Sequence, residues 1–289
     1  MQRTLVFSLL MLSMVSISLT NSPVSAQEPP AEFKGTLFLC GGGRLSTDLY
    51  NQFVEYGKSD SLVVIPSPTQ RKLSDSQQSG IVERWKKHGF KTVTVLNASN
   101  KEEANSADFV KPLKTATAVW FMPGTPGNIA DRYVGTLTEA EVKKLLERDG
   151  VVGGSSAGCS IPSEFMFRGA MASHGTTDGL GLLPHFIIDQ HFIKRKRIGR
   201  LTDLLKTNQH LIGVGVCEDT ALVVQKDQLS VEGIATVTVC IPDYQEESGS
   251  TFVLKPKESY SLSKLQAIAK ARIKKMAGEF GYRDFSNPR

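Results

Sequence analysis

Short β-rich runs alternate with helical patterns along this chain, and glycine, proline or a polar loop stops the strands. Thr36-Leu37-Phe38-Leu39-Cys40 ends at Gly41-Gly42-Gly43, Leu62 to Ile65 ends at Pro66, and Thr92 to Leu96 ends in a polar loop. Ala116 to Phe121 forms a fourth apolar run, and Val151-Val152 opens a fifth. A helical pattern over Ser76 to His88, closed by Gly89, separates the second and third runs. Another lies between the fourth and fifth, running to about Arg148 and ending at Gly150. Here Thr138 and Glu141 have the spacing of a capping box, with Leu137 and Val142 placed as a staple. Strands separated by helices require right-handed crossovers and a mostly parallel sheet covered on both faces. After Gly213, Val214 to Val216, Ala221 to Val224, Leu229 to Val231 and Thr236 to Ile241 follow closely and predict hairpins at one edge of the sheet. A last amphipathic helix is expected over about Ser263 to Met276. The expected fold class is α/β, a mostly parallel sheet flanked by helices with an antiparallel edge extension.

The first 26 residues read as a leader. Arg3 precedes an apolar stretch from Leu5 to Leu19, and Val24-Ser25-Ala26 offers the small residues a signal peptidase accepts. The apolar stretch is short for a membrane span and is broken by Ser8, Ser13, Ser16 and Ser18. Residues 27–34 form a loose lead, and 35–289 are expected to form one catalytic domain. The expected location is periplasmic or secreted, with no stable membrane association after cleavage. Removing the leader lowers the formal charge from +5 to +4, which does not by itself call for nucleic acid. Cys40, Cys159, Cys217 and Cys240 show no metal-ligand spacing and sit among apolar or small residues, as buried free thiols do.

The stretch with the most chemistry is Val151-Val152-Gly153-Gly154-Ser155-Ser156-Ala157-Gly158, a buried strand running through G-x-S-x-G toward a helix start. A nucleophile elbow needs this order: flanking glycines make room for a tight turn that pushes the serine hydroxyl beyond the strand end. The register makes Ser156 the nucleophile, since centring on Ser155 would put Ala157 where the second glycine belongs. The N–H of Ala157 then faces a developing oxyanion. The same residues could also form a structural turn or a phosphate loop.

Serine needs a base. Of His88, His174, His185, His191 and His210, His191 follows the apolar run Phe186-Ile187-Ile188, at the strand edge where open α/β sheets build sites. The orienting acid would be Glu218 or Asp219, just after Val214-Gly215-Val216, with Asp178 as the alternative that restores the hydrolase order.

With these strand ends identified, the chain resembles the peptidase E/cyanophycinase family of serine peptidases from about Gly35 to Val239. The likeness rests on Gly41-Gly42-Gly43, the Ser156 elbow, Gly179-Leu180-Gly181-Leu182-Leu183-Pro184, and Gly215 to Leu222. Its most specific part is Asp189-Gln190-His191-Phe192 followed by Arg195, Arg197, Gly199, Arg200 and Leu201. The resemblance implies a class I glutamine amidotransferase-like fold, with Ser156, His191 and Glu218 as nucleophile, base and orienting acid. It also implies Gly124 as a second oxyanion donor and Gln190, Arg195, Arg197 and Arg200 as substrate-binding residues. One departure stands out. Where the family has a Gly-Gly-Asp-Gln loop, this chain reads Met122-Pro123-Gly124-Thr125-Pro126-Gly127-Asn128, with Thr125 in place of the aspartate and Pro126 in place of the glutamine, and proline removes both a side-chain contact and a backbone donor.

The implied activity is hydrolysis of aspartyl or β-aspartyl peptide bonds by acyl transfer, needing no metal or organic cofactor. The partner is a peptide, acidic or β-aspartyl, clamped by the arginines after His191; a homodimer is the candidate assembly. Lys194 to Arg200 could otherwise be a solvated face, and no interleaved aromatics favour nucleic acid. Two other functions fit the same residues: a non-catalytic binding protein for acidic peptides, and an esterase using Ser156.

Overall fold

A computed structural model describes residues 34–67, 73–242 and 249–280, with side chains to 276. The leader expected over 1–26 lies outside the described residues. All described residues fall in one compact unit, Glu32–Arg289. No helix among them is long and apolar enough to cross a membrane.

The five expected runs become β1 (Thr36–Cys40), β2 (Ser61–Ile65), β3 (Thr92–Val95), β4 (Ala118–Phe121) and β5 (Val151–Ser155). They pair in parallel in the order β1-β5-β4-β2-β3. Every residue of β1 is buried because both faces of the sheet are covered. Leu37 and Leu39 point into one core, while Phe38 and Cys40 point into another formed with α1 (Thr47–Tyr56) and α2 (Asp75–His88). Ser74 caps α2: its hydroxyl accepts from the Gln77 N–H at 3.3 Å, and the Gln77 side chain accepts from the Ser74 N–H at 2.9 Å.

The chain after Phe121 departs from the sequence expectation in three ways. First, a second sheet exists. β6 (Ser163–Phe167), β7 (Thr176–Asp178), β8 (Leu183–Gln190), β9 (Ile212–Val216), β12 (Val237–Ile241) and β13 (Ser250–Leu254) form six strands ordered β13-β12-β9-β8-β6-β7. Second, the close-spaced strands after Gly213 are divided between sheets instead of lying at one edge. β9 and β12 belong to the second sheet, whereas β10 (Thr220–Gln225) and β11 (Gln228–Gly233) extend the first sheet antiparallel to β1. β14 (Ser259–Ser261) completes that edge. The turn Cys217-Glu218-Asp219 therefore carries the chain from one sheet to the other.

Third, the capping box at Thr138 is absent. A short helix α3 (Lys101–Ala104) and then α4 (Pro126–Tyr133) precede helix α5 (Leu137–Glu147). The last of these begins after Thr136, whose hydroxyl donates to the Tyr133 carbonyl. Thr138 is buried and donates to the Ala104 carbonyl at the end of α3, Glu141 pairs with Lys144, and the Leu137 N–H is taken by Asn105. Leu137 is exposed and makes no staple. A buried carbonyl at Ala104 outcompetes the local cap, because an unpaired buried acceptor costs more than a helix N-terminus open to water.

The apolar core lies between the two sheets and continues under α4, α5 and the final helix α8 (Leu262–Phe280). The other face of the second sheet packs on α7 (Ile198–Thr207), through Ile187, Phe192, Leu201 and Leu205. All four cysteines are buried and free.

Candidate active site

Ser156 begins where β5 stops, just before the single-turn helix α6 (Ala157–Ser160), and its backbone sits at φ 56°, ψ −115°. An L-residue adopts that conformation only when its surroundings impose it. Here they do: a side chain at Gly154 would collide with the Gly158 backbone, and one at Gly158 with the Phe121 carbonyl. The glycines let the strand, the turn and β4 close on one another, and the serine takes the strain.

The Ser156 hydroxyl lies 2.9 Å from His191 Nε2, and His191 Nδ1 lies 2.6 Å from Glu218 Oε1. The second Glu218 oxygen accepts from Lys194 Nζ at 2.7 Å. Ser156 thus comes from the first sheet, His191 from the end of β8 in the second, and Glu218 from the turn that crosses between them. Asp219 is turned away and accepts from the Ser46 N–H at 2.7 Å. Asp178 lies exposed on the outer strand β7, with no bond to His191.

The three residues are aligned by the end of β1. The Ser156 N–H donates to the Cys40 carbonyl at 3.0 Å, the His191 N–H to Gly41 at 2.7 Å, and the Asp219 N–H to Gly42 at 3.0 Å. Three successive carbonyls therefore register Ser156, His191 and the turn that carries Glu218. His191 and Asp219 share the positive φ of Ser156, at 51° and 48°. Gly42, at φ 100°, lies flat against the imidazole, where any side chain would strike the ring. The sequence offered Gly41-Gly42-Gly43 as a stop signal; its signal as a template was the run of three glycines where one would end a strand.

Burial holds the His191 imidazole below its ordinary range; the Glu218 hydrogen bond opposes this, while the charges of Arg195 and Arg197 add to it. The Glu218 carboxyl is held low by the hydrogen bond from Lys194 first and by that from His191 second. A neutral imidazole beside an ionised carboxylate is the state in which a base can take a serine proton.

The Ala157 N–H opens α6, and Gly124 lies in the β4–α4 loop. Neither N–H has a partner among the described residues. Pro126 occupies the first position of α4, where a missing N–H costs the helix nothing, and it is buried. The Thr125 N–H donates to the Ser67 hydroxyl at 3.2 Å.

The expected arginine clamp divides. Arg197 is buried and donates from one Nη1 to Asp189 Oδ1 at 2.9 Å and to the Gln190 carbonyl at 2.7 Å. Arg200 grips the same carboxylate with Nε at 2.6 Å and also with Nη2. Its guanidinium lies 4.2 Å over the Phe167 ring and donates to the Ala170 carbonyl at 2.7 Å. Asp189 is 1 % exposed, and its carboxylate balances charges that could not otherwise be buried. These two arginines brace β8 against α7. Arg195 alone is exposed and without an ion pair among the described residues. Gln190 is buried, and its Oε1 has no hydrogen-bond partner. Among the described residues no group of three or more His, Cys, Asp or Glu side chains could hold a metal ion.

The model of peptidase family S51 matches residues 37–232, which contain every residue of this site. The chain is similar to the cyanophycinase of Geminocystis herdmanii, 26 % identical over 193 residues, covering 63 % of this chain and 70 % of that one. A cyanophycinase from a Nostoc species is 29 % identical over 167 residues; the match spans 53 % of this chain and 55 % of that protein. Among solved structures, a peptidase from an acI-B1 Actinobacterium shares the fold with a TM-score of 0.59 and 24 % identity, over 79 % of this chain and 97 % of that one. A putative peptidase E protein from Listeria monocytogenes superposes with a TM-score of 0.50 at 13 % identity, over 70 % of this chain and all of the other. The fold is that of the class I glutamine amidotransferases.

Two predictions test this geometry. Gly42→Ala should lower kcat/KM about a hundredfold in a protein that still folds, because the methyl displaces the His191 ring from the serine. Steady-state kinetics beside a melting curve check this, and activity within about threefold of the parent would contradict it. Lys194→Met concerns pH. Activity needs neutral His191, so it rises with pH through the imidazole pKa, below the ordinary histidine range. Removing the ammonium leaves Glu218 more negative toward His191 and raises that pKa. The acid limb of kcat/KM should move to higher pH by less than about one unit, as fits an exposed ion pair. An unmoved or lowered limb would show that Lys194 does not act through the acid.

Proposed function

Because the chain belongs to peptidase family S51 and is a serine peptidase, we propose that it hydrolyses short aspartyl or β-aspartyl peptides outside the cytoplasm. The observation that carries this reading is the continuous relay from Ser156 through His191 to Glu218 at a strained elbow. In that relay His191 Nε2 takes the Ser156 proton as Oγ attacks the scissile carbonyl. The Ala157 N–H, and that of Gly124, then stabilise the oxyanion. His191⁺ returns the proton to the departing amine, which leaves an ester on Ser156. Water, deprotonated by the same imidazole, attacks that ester and releases the acid. Glu218 holds the ring in the tautomer that presents a lone pair to serine and stabilises the imidazolium in both halves.

Aspartyl specificity is supported by Arg195, whose uncommitted guanidinium follows His191 by four residues, and by the unpartnered Oε1 of Gln190. The first offers a fork to a carboxylate and the second accepts an N–H or ammonium, the two groups a terminal aspartyl unit carries. The leader pattern of residues 1–26 supports export.

The test is a panel of α- and β-linked aspartyl peptides incubated with the protein lacking residues 1–26. We predict turnover of aspartyl peptides over their asparaginyl and alanyl counterparts, and none in Ser156→Ala. Arg195→Lys should lose about tenfold or more in aspartyl kcat/KM, on the order expected for a charge-assisted pair. Equal cleavage of aspartyl and alanyl peptides would sink the specificity; undiminished cleavage by Ser156→Ala would sink the mechanism.

A further inference from the structure

A cavity of about 920 Å³ lies on the α1–α2 side of the first sheet, and its lining includes Gly43, which sits against Glu218, and Ser155, the neighbour of Ser156. The volume is at the upper end for small-molecule sites. Among its lining residues the buried Trp85 and Trp120 have rings 5.1 Å apart at 62°, and Tyr50 packs edge-on against Trp85 at 5.3 Å and stacks on the His88 imidazole at 4.5 Å. Arg44, Arg84 and Lys87 ring the opening, and no carboxylate lines it among the described residues. Within the same residues none of these three cations makes an ion pair or hydrogen bond. Burial, with Arg84 and Lys87 adding, keeps His88 below the ordinary histidine range, so the ring stacks without its own charge.

An aromatic lining under a cationic rim suits one kind of group: a flat or branched apolar side chain that carries an anion at its open end. We propose that this cavity binds the departing residue of the substrate, an apolar or aromatic C-terminal amino acid whose α-carboxylate meets Arg84 or Arg44. This deepens the aspartyl-peptidase reading and rests on it. Arg195 lies after β8, whereas these cations lie on α2 and in the loop before α1, so separate charges meet the acidic unit and the terminal carboxylate of a dipeptide. A departing arginine finds the wrong sign: its guanidinium would enter a ring of cations with nothing to pair it. The cavity therefore selects against the arginine-bearing dipeptide and for aspartyl-phenylalanine or aspartyl-leucine.

Trp85 and Trp120 are the only two tryptophans of the sequence, so intrinsic fluorescence reports on the cavity directly. The first arm uses Ser156→Ala and needs no catalysis: N-acetyl-phenylalanine is titrated while tryptophan emission is followed, with N-acetyl-phenylalanine amide and N-acetyl-arginine as controls. We expect a saturable change with the carboxylate, binding weakened about tenfold for the amide, and no saturation with the arginine compound. Arg84→Glu should abolish the response to the carboxylate. The second arm compares kcat/KM for β-aspartyl-phenylalanine and β-aspartyl-arginine. The parent should favour phenylalanine, and Arg84→Glu should shift the ratio toward arginine by about tenfold or more, with Arg84→Met between. A fluorescence response without any peptide turnover would retain the cavity's ligand class and reject the peptidase assignment. Turnover with no fluorescence response, or with arginine preferred, would overturn the cavity proposal alone.

Discussion

The site depends on the last three carbonyls of one strand end. Cys40, Gly41 and Gly42 each accept one backbone N–H, from Ser156, His191 and Asp219 in turn. Those donors belong to three segments far apart in the chain and to two different sheets. Each sits at a positive φ, a cost of roughly 1–3 kcal/mol per residue that only well-determined surroundings can sustain. The hydrogen bonds and the glycine contacts supply that determination. They fix the backbone at Ser156, at His191 and beside Glu218, and the side-chain spacings of 2.9 Å and 2.6 Å are built on that frame.

The second sheet explains why residues so rich in charge can sit next to a core. Asp189 is the inner anchor: two guanidiniums and the Gln190 N–H converge on it, and Arg200 adds a ring contact and carbonyl bonds. Removing one partner from such a cluster would strand a buried charge, so the cluster holds β8 and α7 in a single arrangement. His191 lies two residues beyond Asp189, and the basic loop from Ile193 to Lys196 emerges between the two anchored ends. Of its exposed charges, Lys194, Arg195 and Lys196, the first pairs with Glu218.

Much of this was legible in the sequence. The parallel strands showed as apolar runs stopped by glycine or proline, and the elbow as glycines that only a tight strand-to-helix turn requires. His191 was marked by position after a buried strand; the same signal left Glu218 and Asp219 equal, and only the resemblance to the family chose between them. The second sheet was not legible, because an apolar run does not say which sheet receives it. The capping box at Thr138 failed because its hydroxyl had a buried carbonyl from another helix as a competitor, and local spacing carries no record of that. Arg197 and Arg200 were expected at the substrate for a similar reason. Arginines close to a histidine look like a clamp until the geometry gives them Asp189, an acid from the same motif. The cationic cavity left no sequence signal, since Arg44, Arg84 and Trp120 meet only in the fold.

In the proposed mechanism this frame makes Ser156, and no other residue, the nucleophile. The most direct measurement is mass-spectrometric mapping of the adduct left by a fluorophosphonate on the folded protein. A single phosphonyl group is expected on Ser156, absent from unfolded protein and from His191→Ala. An adduct on the neighbouring Ser155, or equal labelling when His191 is gone, would contradict it.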